Sequence, residues 1–86
     1  MIVKNDNWTV YIHQFPNNKY YVGITSMTIN QRWGENGIGY KNQPVYNAIK
    51  KYGWEHINHE IFATHLTEQE AKNIEKILIL KLNSFN

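Results

Sequence analysis

The chain contains no cysteine, two prolines, five glycines and a single arginine among its 86 residues. The lack of cysteine excludes disulfide bonds and thiolate zinc sites, and it suits a reducing compartment. No run of residues approaches the roughly 20 apolar positions of a membrane-spanning helix. The first residues also lack the apolar core of a signal peptide. We therefore expect a cytoplasmic protein with no membrane partner.

The composition indicates an ordered domain of modest charge. Hydrophobic residues make up 42% of the chain, aromatic residues 14% and charged residues 19%, which favours a packed interior over disorder. We expect one domain spanning residues 1–86, because so short a chain cannot form two independent cores. The net charge of +2 predicts that any affinity for DNA is modest and weakens with salt.

Alternating polarity predicts a β-hairpin in the first third of the chain. The segment 8–13 alternates, with Tyr11 and His13 on the same face. The Pro-Asn-Asn sequence at 16–18 is a turn signal, and the segment 20–25 has the pattern of a returning strand.

Helix signals follow the hairpin. Ser26 or Thr28 is predicted to cap a short helix that ends at Trp33, and a second helix is predicted over 44–52, with a glycine after it. After the first of these helices, three glycines predict a loop: Gly34, Gly37 and Gly39.

The last third of the chain adds a strand and a long helix. Residues 57–62 are predicted to be the third strand, and Thr67 with Glu70 has the spacing of a capping box for a helix that reaches about Leu82. The order is ββααβα. It predicts an α+β fold in which a small three-stranded antiparallel sheet is flanked by helices.

Arg32 is the only arginine in a chain that has 8 lysines. A guanidinium presents a planar fork of donors that matches phosphate geometry, whereas an ammonium is a point charge. Arg32 is therefore a candidate phosphate ligand, although a lone arginine can also be an ordinary surface residue.

Glu75 falls on the apolar stripe of the last predicted helix. That stripe consists of Ala71, Ile74, Leu78 and Leu82, with Ile79 at its border. An ionised carboxylate facing a core is costly unless a cation meets it. Glu75 therefore either reaches water or a lysine from the edge of the stripe, or it is a metal-binding or acid–base carboxylate in a cleft.

Two tyrosines share one face of the predicted hairpin. Tyr11 and Tyr21 have matching parity on the two strands, and Gly23 beside them leaves space for close approach to the backbone. Tyrosines are also ordinary strand formers, so the pair alone does not define a site.

Taken together, these segments resemble the GIY-YIG nuclease family. Thr9-Val10-Tyr11 and Tyr21-Val22-Gly23 stand for its two namesake motifs, and Arg32-Trp33 and a late-helix Glu75 follow in order. The run 19–23 is similar to that of phage intron homing endonucleases. The resemblance extends from about residue 8 to about residue 84, and it implies the same three-stranded sheet with helices.

The resemblance also implies a chemistry, the hydrolysis of DNA phosphodiester bonds with one divalent metal ion. Glu75 would bind Mg²⁺ or Mn²⁺, and Arg32 would hold the scissile phosphate. Tyr11 would orient or deprotonate the attacking water, with Tyr21 beside it. Negative charge builds on phosphate oxygens during cleavage, so a cation and a fixed guanidinium oppose it. Target selection would come from the DNA structure, from an additional DNA-targeting chain or from a homodimer.

The chain departs from the family pattern at two places. Many members carry histidine or tyrosine one helical turn after the arginine, where this chain has Asn36. Tyr40 is a candidate for the missing phenol, and Tyr40 and Lys41 are candidate nucleic-acid contacts. The asparagine that members carry after the last helix has only Asn83 and Asn86 as stand-ins.

Other motifs are weaker. The glycines at 34–39 are not a phosphate-binding loop, because no Gly-Lys-Ser/Thr follows. Asn58-His59-Glu60 lacks the second histidine arm of an HNH nuclease, and His56 and His59 are expected to be surface or loop residues whose side chains diverge. Three aromatic residues are expected to pack in the core: Tyr52, Trp54 and Phe62.

Two further functions are consistent with the same residues. One is a catalytically silent nucleic-acid-binding module on the same fold, which the departures at Asn36 and at the C-terminus favour. The other is a partner-binding adaptor with no role in nucleic-acid chemistry, which the mild charge allows.

Overall fold

A computed structural model describes residues 6–82 of the chain. The α+β fold and the predicted ββααβα order are confirmed, and two short 3₁₀ segments are added. The elements in chain order are β1 (Trp8–Gln14), β2 (Tyr20–Thr25), α1 (Ile29–Trp33), a 3₁₀ segment (Glu35–Tyr40), α2 (Val45–Tyr52), a 3₁₀ turn (Trp54–His56), β3 (Asn58–Leu66) and α3 (Glu68–Leu82).

The three strands form one antiparallel sheet with β1 in the centre, in the order β2-β1-β3. The hairpin turn between β1 and β2 is closed by hydrogen bonds between Phe15 and Asn18 (2.9 Å) and between Phe15 and Lys19 (2.8 Å). Asn18 has φ 65, a left-handed conformation that asparagine tolerates better than most residues. This explains why Pro-Asn-Asn was a reliable turn signal.

Because side chains alternate along a strand, β1 sends residues to both sides of the sheet. The side of the sheet that carries Tyr11 and Phe15 is covered by α1, α2 and the 3₁₀ segments, and we call it the tyrosine face. The core there consists of Tyr11, Phe15, Tyr40, Val45, Ile49 and Ile57. The opposite side, the α3 face, is packed by Val10, Ile12, Val22, Ala71 and Leu78. A single sheet thus separates two small apolar clusters.

The third strand is longer than predicted and irregular. Its pairing with β1 shifts register between Trp8 and Val10 and again between Val10 and Tyr11. His65 has φ 58, so β3 bends at the end that leads into α3. Such bulges change the direction of the strand. Beyond them, the alternation of polar and apolar residues no longer predicts which face of the sheet a side chain occupies.

The predicted helix caps are present. Thr28 forms a capping box with Gln31 at the start of α1, and Gly53 ends α2 with φ 87. Thr67 and Glu70 exchange hydrogen bonds of 2.8 and 3.2 Å at the start of α3. Each pair satisfies backbone N–H groups that a helix leaves free at its first turn.

Three expectations were wrong. The glycine-rich stretch is not a simple loop, because it forms the 3₁₀ segment Glu35–Tyr40, in which Gly37 and Tyr40 are buried and a Cβ on Gly37 would meet the Trp54 ring. Phe62 is 48% exposed rather than packed, whereas Tyr52 and Trp54 do pack against the core. His59 is a half-buried strand residue whose ring contacts the core of the tyrosine face.

Within residues 6–82, no helix is both long enough and apolar enough to cross a membrane.

Candidate active site

Tyr11 is almost completely buried at the centre of the tyrosine face, with 1% of its surface exposed. It lies directly opposite Gly23 on β2, and a Cβ on Gly23 would overlap the Tyr11 ring and hydroxyl. The glycine therefore lets the phenol lie flat across the neighbouring strand. This gives a structural reason for a glycine two residues after Tyr21.

Arg32, which is carried by the short helix α1, lies over the Tyr40 ring. Its guanidinium carbon is 4.4 Å from the centroid of the Tyr40 ring, and its Nη1 donates to the Gly39 carbonyl at 3.3 Å. Burial raises the pKa values of Tyr11 and Tyr21, and the positive charge of Arg32 opposes that rise. The arginine therefore contacts the phenol ring of the 3₁₀ segment and lies within electrostatic reach of those on β1 and β2. We call Tyr11, Tyr21 and Tyr40 the phenol group.

Tyr40 is fully buried, with 0% of its surface exposed, and its hydroxyl is 2.9 Å from Nε2 of His13. Burial raises the pKa of Tyr40, and the neighbouring Tyr11 adds to that rise. The Tyr40 side chain is enclosed by the core of the tyrosine face, and its contact with nucleic acid stays a prediction.

Tyr21 lies at the edge of the group and is only half-buried. Its hydroxyl donates a long hydrogen bond, 3.4 Å, to Oε1 of Gln43. Its ring stacks on that of His13 with 6.2 Å between centroids, as expected for directly paired residues of adjacent strands. A half-buried phenol beside the arginine is accessible to a bound substrate.

Glu75 is half-buried on α3, which packs on the opposite face of the sheet along β1 and β2. Burial raises the pKa of the Glu75 carboxyl, and the nearby Lys72 ammonium opposes that rise. The charge of Glu75 also raises the pKa values of Tyr11 and Tyr21, so the carboxylate lies within electrostatic reach of both phenols. Glu75 thus lies between the buried core and the solvent.

Burial is the main influence on both phenols. It raises the pKa values of Tyr11 and Tyr21 above the ordinary value near 10, and the positive charge of Arg32 lowers them in part. In the free protein both groups are therefore neutral phenols at physiological pH. Either would need additional positive charge nearby to lose its proton.

A pair of histidines beneath the tyrosines is the feature that the sequence reasoning missed. His13 is 1% exposed, and its Nδ1 lies 2.9 Å from Nδ1 of His59 on β3. The other nitrogen of His59, Nε2, lies 3.0 Å from the Trp54 carbonyl, and its ring stacks on Trp54 with 3.9 Å between centroids. The signal available in the sequence was that His13 has the same strand parity as Tyr11.

The described residues offer few metal ligands. Among residues 6–82, no cluster of three His, Asp or Glu side chains is placed to hold a metal ion. Glu75 supplies one carboxylate, and Mg²⁺ is often bound by one or two carboxylates together with substrate phosphates and water. The donor set at Glu75 therefore fits a hard divalent ion that is completed by its substrate.

The remaining predicted contacts lie further out. Lys41 is exposed directly after the 3₁₀ segment and stays a predicted phosphate contact. Asn36 is exposed, with φ 53. Among the described residues, no hydrogen bond joins its side chain to the phenol group. Asn83 and Asn86 lie outside the described residues.

Comparison with known proteins gave one result at the family level. The model of the GIY-YIG catalytic domain matches residues 7–86, nearly the whole chain. No match was found among curated proteins or among solved structures. The match covers the hairpin with Tyr11 and Tyr21, the helix with Arg32 and the helix with Glu75. The chain belongs to the GIY-YIG catalytic domain family, a family of nucleases.

Proposed function

We propose that this chain is a divalent-metal-dependent endonuclease domain that hydrolyses DNA phosphodiester bonds. The observation that carries the proposal is the position of Arg32, whose guanidinium carbon is 4.4 Å from the centroid of the Tyr40 ring and whose charge, like that of Glu75, reaches both Tyr11 and Tyr21. A guanidinium, two phenols and a carboxylate from four separate elements could hold a phosphate, accept a proton and bind a metal ion, which are three tasks of phosphodiester hydrolysis.

Arg32 is the group that holds the scissile phosphate. Its planar fork already donates to the Gly39 carbonyl, which fixes its direction, and its remaining donors are free to meet two phosphate oxygens. As the phosphorus becomes five-coordinate, negative charge grows on those oxygens, and the fixed positive charge stabilises it. We expect this contribution to appear in the rate of cleavage more than in binding.

Tyr11 is the group that orients the attacking water and accepts its proton. Glu75 would hold the metal ion. That ion, when bound, would polarise the phosphate oxygens and offset the negative charge of Glu75, which raises the pKa values of Tyr11 and Tyr21. Arg32 lowers the pKa of Tyr11 from the other side. The half-buried Tyr21 places a second hydroxyl beside the same phosphate, where it donates a hydrogen bond.

Substitution of Glu75 tests this proposal. We expect Glu75→Gln to lower the rate of plasmid nicking in Mg²⁺ or Mn²⁺ by at least about 100-fold, because the amide cannot bind a hard cation as a carboxylate does. Binding to a DNA fragment without metal should change less than about threefold, since removing one acidic charge does not weaken attraction to phosphate.

Glu68→Gln is the matched control for this test. Glu68 lies on the same helix, is exposed and pairs only weakly with Lys72 at 3.6 Å. We expect it to nick plasmid at the unsubstituted rate. Equal nicking by the Glu75 and Glu68 variants would contradict the metal-binding role.

A catalytically silent nucleic-acid-binding module is the second candidate. The observation that favours it is Asn36, an exposed side chain without acid–base chemistry at the position where many family members carry histidine or tyrosine. This function predicts salt-sensitive DNA binding with no cleavage in Mg²⁺ or Mn²⁺. A net charge of +2 also suggests that target selection is supplied by an additional DNA-targeting chain or by a homodimer.

A further inference from the structure

The outer side of helix α2 carries a row of exposed polar residues that starts beside the phenol group. Val45 and Ile49 are buried in the core of the tyrosine face, so the opposite side of the helix faces solvent. The exposed residues on that side follow one another at spacings of three and four, which places them on one helix face. We call them the α2 stripe: Gln43, which precedes the helix, Asn47, Lys50 and Lys51.

The first residue of the α2 stripe is bonded to the candidate active site. Oε1 of Gln43 accepts the hydrogen bond from the Tyr21 hydroxyl at 3.4 Å, and the Gln43 backbone N–H donates to the Tyr40 carbonyl at 2.8 Å. Tyr40 is also the ring that the Arg32 guanidinium carbon approaches to 4.4 Å. A DNA strand with a phosphate bound at Arg32 and Tyr21 therefore lies next to the start of the α2 stripe.

The segment that contains the α2 stripe has positive charge only. Residues 36–54 include three lysines and no Asp or Glu, whereas α3 carries three glutamates and three lysines. The positive charge of the chain is thus concentrated beside the tyrosine face, although the net charge is only +2. A local excess of one sign attracts a polyanion to that surface even when the whole molecule is nearly neutral.

Aromatic rings keep the two lysines of the α2 stripe close to the helix. The Nζ atom of Lys50 is 5.3 Å from the centroid of the Tyr46 ring, and that of Lys51 is 5.3 Å from the centroid of the Tyr52 ring. Contacts of this kind hold the stem of a lysine against the protein while its ammonium group stays in water. The two positive charges therefore have preferred positions on the outer side of α2.

The length of the α2 stripe suits a nucleic-acid backbone. An α-helix rises about 1.5 Å per residue, so Lys50 lies about 10 Å along the axis from Gln43. Each strand of a DNA duplex presents one phosphate per about 3.4 Å of its axis. A strand that runs along α2 therefore places about three phosphates beside the stripe.

We propose that the α2 stripe, with the exposed Lys41 beside it, binds the phosphate backbone of the DNA that extends from the cleavage site. This inference rests on the proposed function for the identity of the substrate, and it gives that substrate a direction, from Arg32 past Gln43 and along α2. Amide N–H groups of Gln43 and Asn47 donate to phosphate oxygens, and the lysines supply charge. Contacts to the backbone add affinity without sequence preference.

The salt dependence of DNA binding without metal tests the proposal. The stripe variant, Lys50→Gln with Lys51→Gln, and the control variant, Lys76→Gln with Lys81→Gln on exposed positions of α3, each remove two positive charges. We expect the stripe variant to bind a short duplex about 10-fold more weakly, and its slope of log K against log salt to be shallower by about 1.8.

The control variant should change the slope by less than about 0.5, because α3 lies on the other side of the sheet. Fluorescence anisotropy at a series of salt concentrations measures both variants, and thermal unfolding curves show that they are folded. If the two variants lose affinity equally, or if neither does, the proposal is wrong.

A charge placed within the α2 stripe gives a second test. Asn47→Asp puts a carboxylate between Gln43 and the lysines, and we expect it to weaken metal-free binding by at least about 5-fold. Asn73→Asp makes the same change at an exposed position of α3 and should stay within about twofold of the unsubstituted protein. Equal binding by these two variants would contradict a DNA strand lying along α2.

Failure of this inference can be told apart from failure of the nuclease function. Because binding is measured without metal, a protein that depends on the α2 stripe for binding but never cuts DNA would overturn only the nuclease function. If the protein cuts DNA, the stripe variant should need about 10-fold more DNA to reach its half-maximal single-turnover rate. Its maximal rate should be unchanged within about twofold, because these lysines hold substrate and transition state alike. A lower maximal rate at an unchanged half-maximal concentration would contradict the proposal.

Discussion

At the scale of single residues, Arg32 links most of the phenol group. It lies over the ring of Tyr40, its positive charge lowers the pKa values of Tyr11 and Tyr21, and it is the only arginine in the chain. A lysine at this position would keep the positive charge but could not contact several partners in one plane. The retained guanidinium is therefore explained by geometry more than by charge.

We expect Arg32→Lys to lower the rate of metal-dependent cleavage by about 100-fold, because an ammonium cannot hold the phosphate through two parallel bonds. DNA affinity should change only a few-fold, since the net charge is unchanged. Single-turnover nicking and a fluorescence binding titration would measure the two effects. Lys81→Arg, at an exposed position of α3, should alter neither.

Gly23 acts at the same scale by the absence of a side chain. A Cβ at this position would overlap the Tyr11 ring, and the ring cannot retreat because the buried core lies behind it. We expect Gly23→Ala to displace Tyr11, lower cleavage by at least about 10-fold and destabilise the fold by about 1–3 kcal/mol. Urea denaturation and nicking assays would measure these effects, and unchanged cleavage would show that Tyr11 has no fixed position.

At the scale of elements, α3 depends on its capping box. Thr67 and Glu70 satisfy the N-terminal N–H groups of the helix that carries Glu75. We expect Thr67→Ala to lower the free energy of unfolding by about 1 kcal/mol without changing the cleavage rate of the folded protein. Urea denaturation would measure the loss.

Gln69→Ala is the comparison for this cap, because Gln69 is exposed in the first turn of the same helix and its side chain donates to Asn73 rather than to the capping box. Its effect should stay within about 0.5 kcal/mol. An equal loss of stability in both variants would mean that the capping box contributes nothing beyond an ordinary surface contact.

The elements also show how much the sequence could predict. The hairpin, the caps of α1 and α3 and the end of α2 at Gly53 all depend on residues close together in the chain, and these predictions were confirmed. The 3₁₀ segment was missed because glycines signal a loop locally, whereas burial of Tyr40 and packing of Gly37 on Trp54 are long-range effects.

The candidate site divides in the same way. Tyr11, Tyr21, Arg32 and Glu75 could be named from the sequence because their order matches a family pattern. The pairing of His13 with His59 could not be predicted, because it depends on the register between β1 and β3. Bulges elsewhere in β3 prevent that register from being counted along the sequence. The roles of the site residues, like the metal ion and the DNA substrate, stay predictions.

At the scale of the whole molecule, a neutral buried His13 makes stability depend on pH. Its pKa is lowered to about 3, whereas an unfolded histidine is protonated below about 6.5. The unfolded state therefore binds more protons between these values, and the stabilisation present above about pH 6.5 is lost as pH falls.

We expect the free energy of unfolding to drop by about 2 kcal/mol between about pH 6.5 and about pH 5 because of His13 alone. His59, whose pKa is also lowered, should add to the slope. Urea denaturation at a series of pH values would measure it. His13→Gln should flatten most of this dependence, whereas His56→Gln should leave it unchanged.

The sheet separates the groups that the proposed reaction brings together. Glu75 comes from the helix on the α3 face, while Arg32 and the phenols belong to the tyrosine face. The proposed cleavage then requires that α3 and the helices of the tyrosine face both pack correctly on the sheet. A nicking assay would therefore also measure whether the tertiary structure is complete. A compound bound between α3 and the sheet would then inhibit the domain without touching Arg32 or the phenols, so an inhibitor need not compete with nucleic acid.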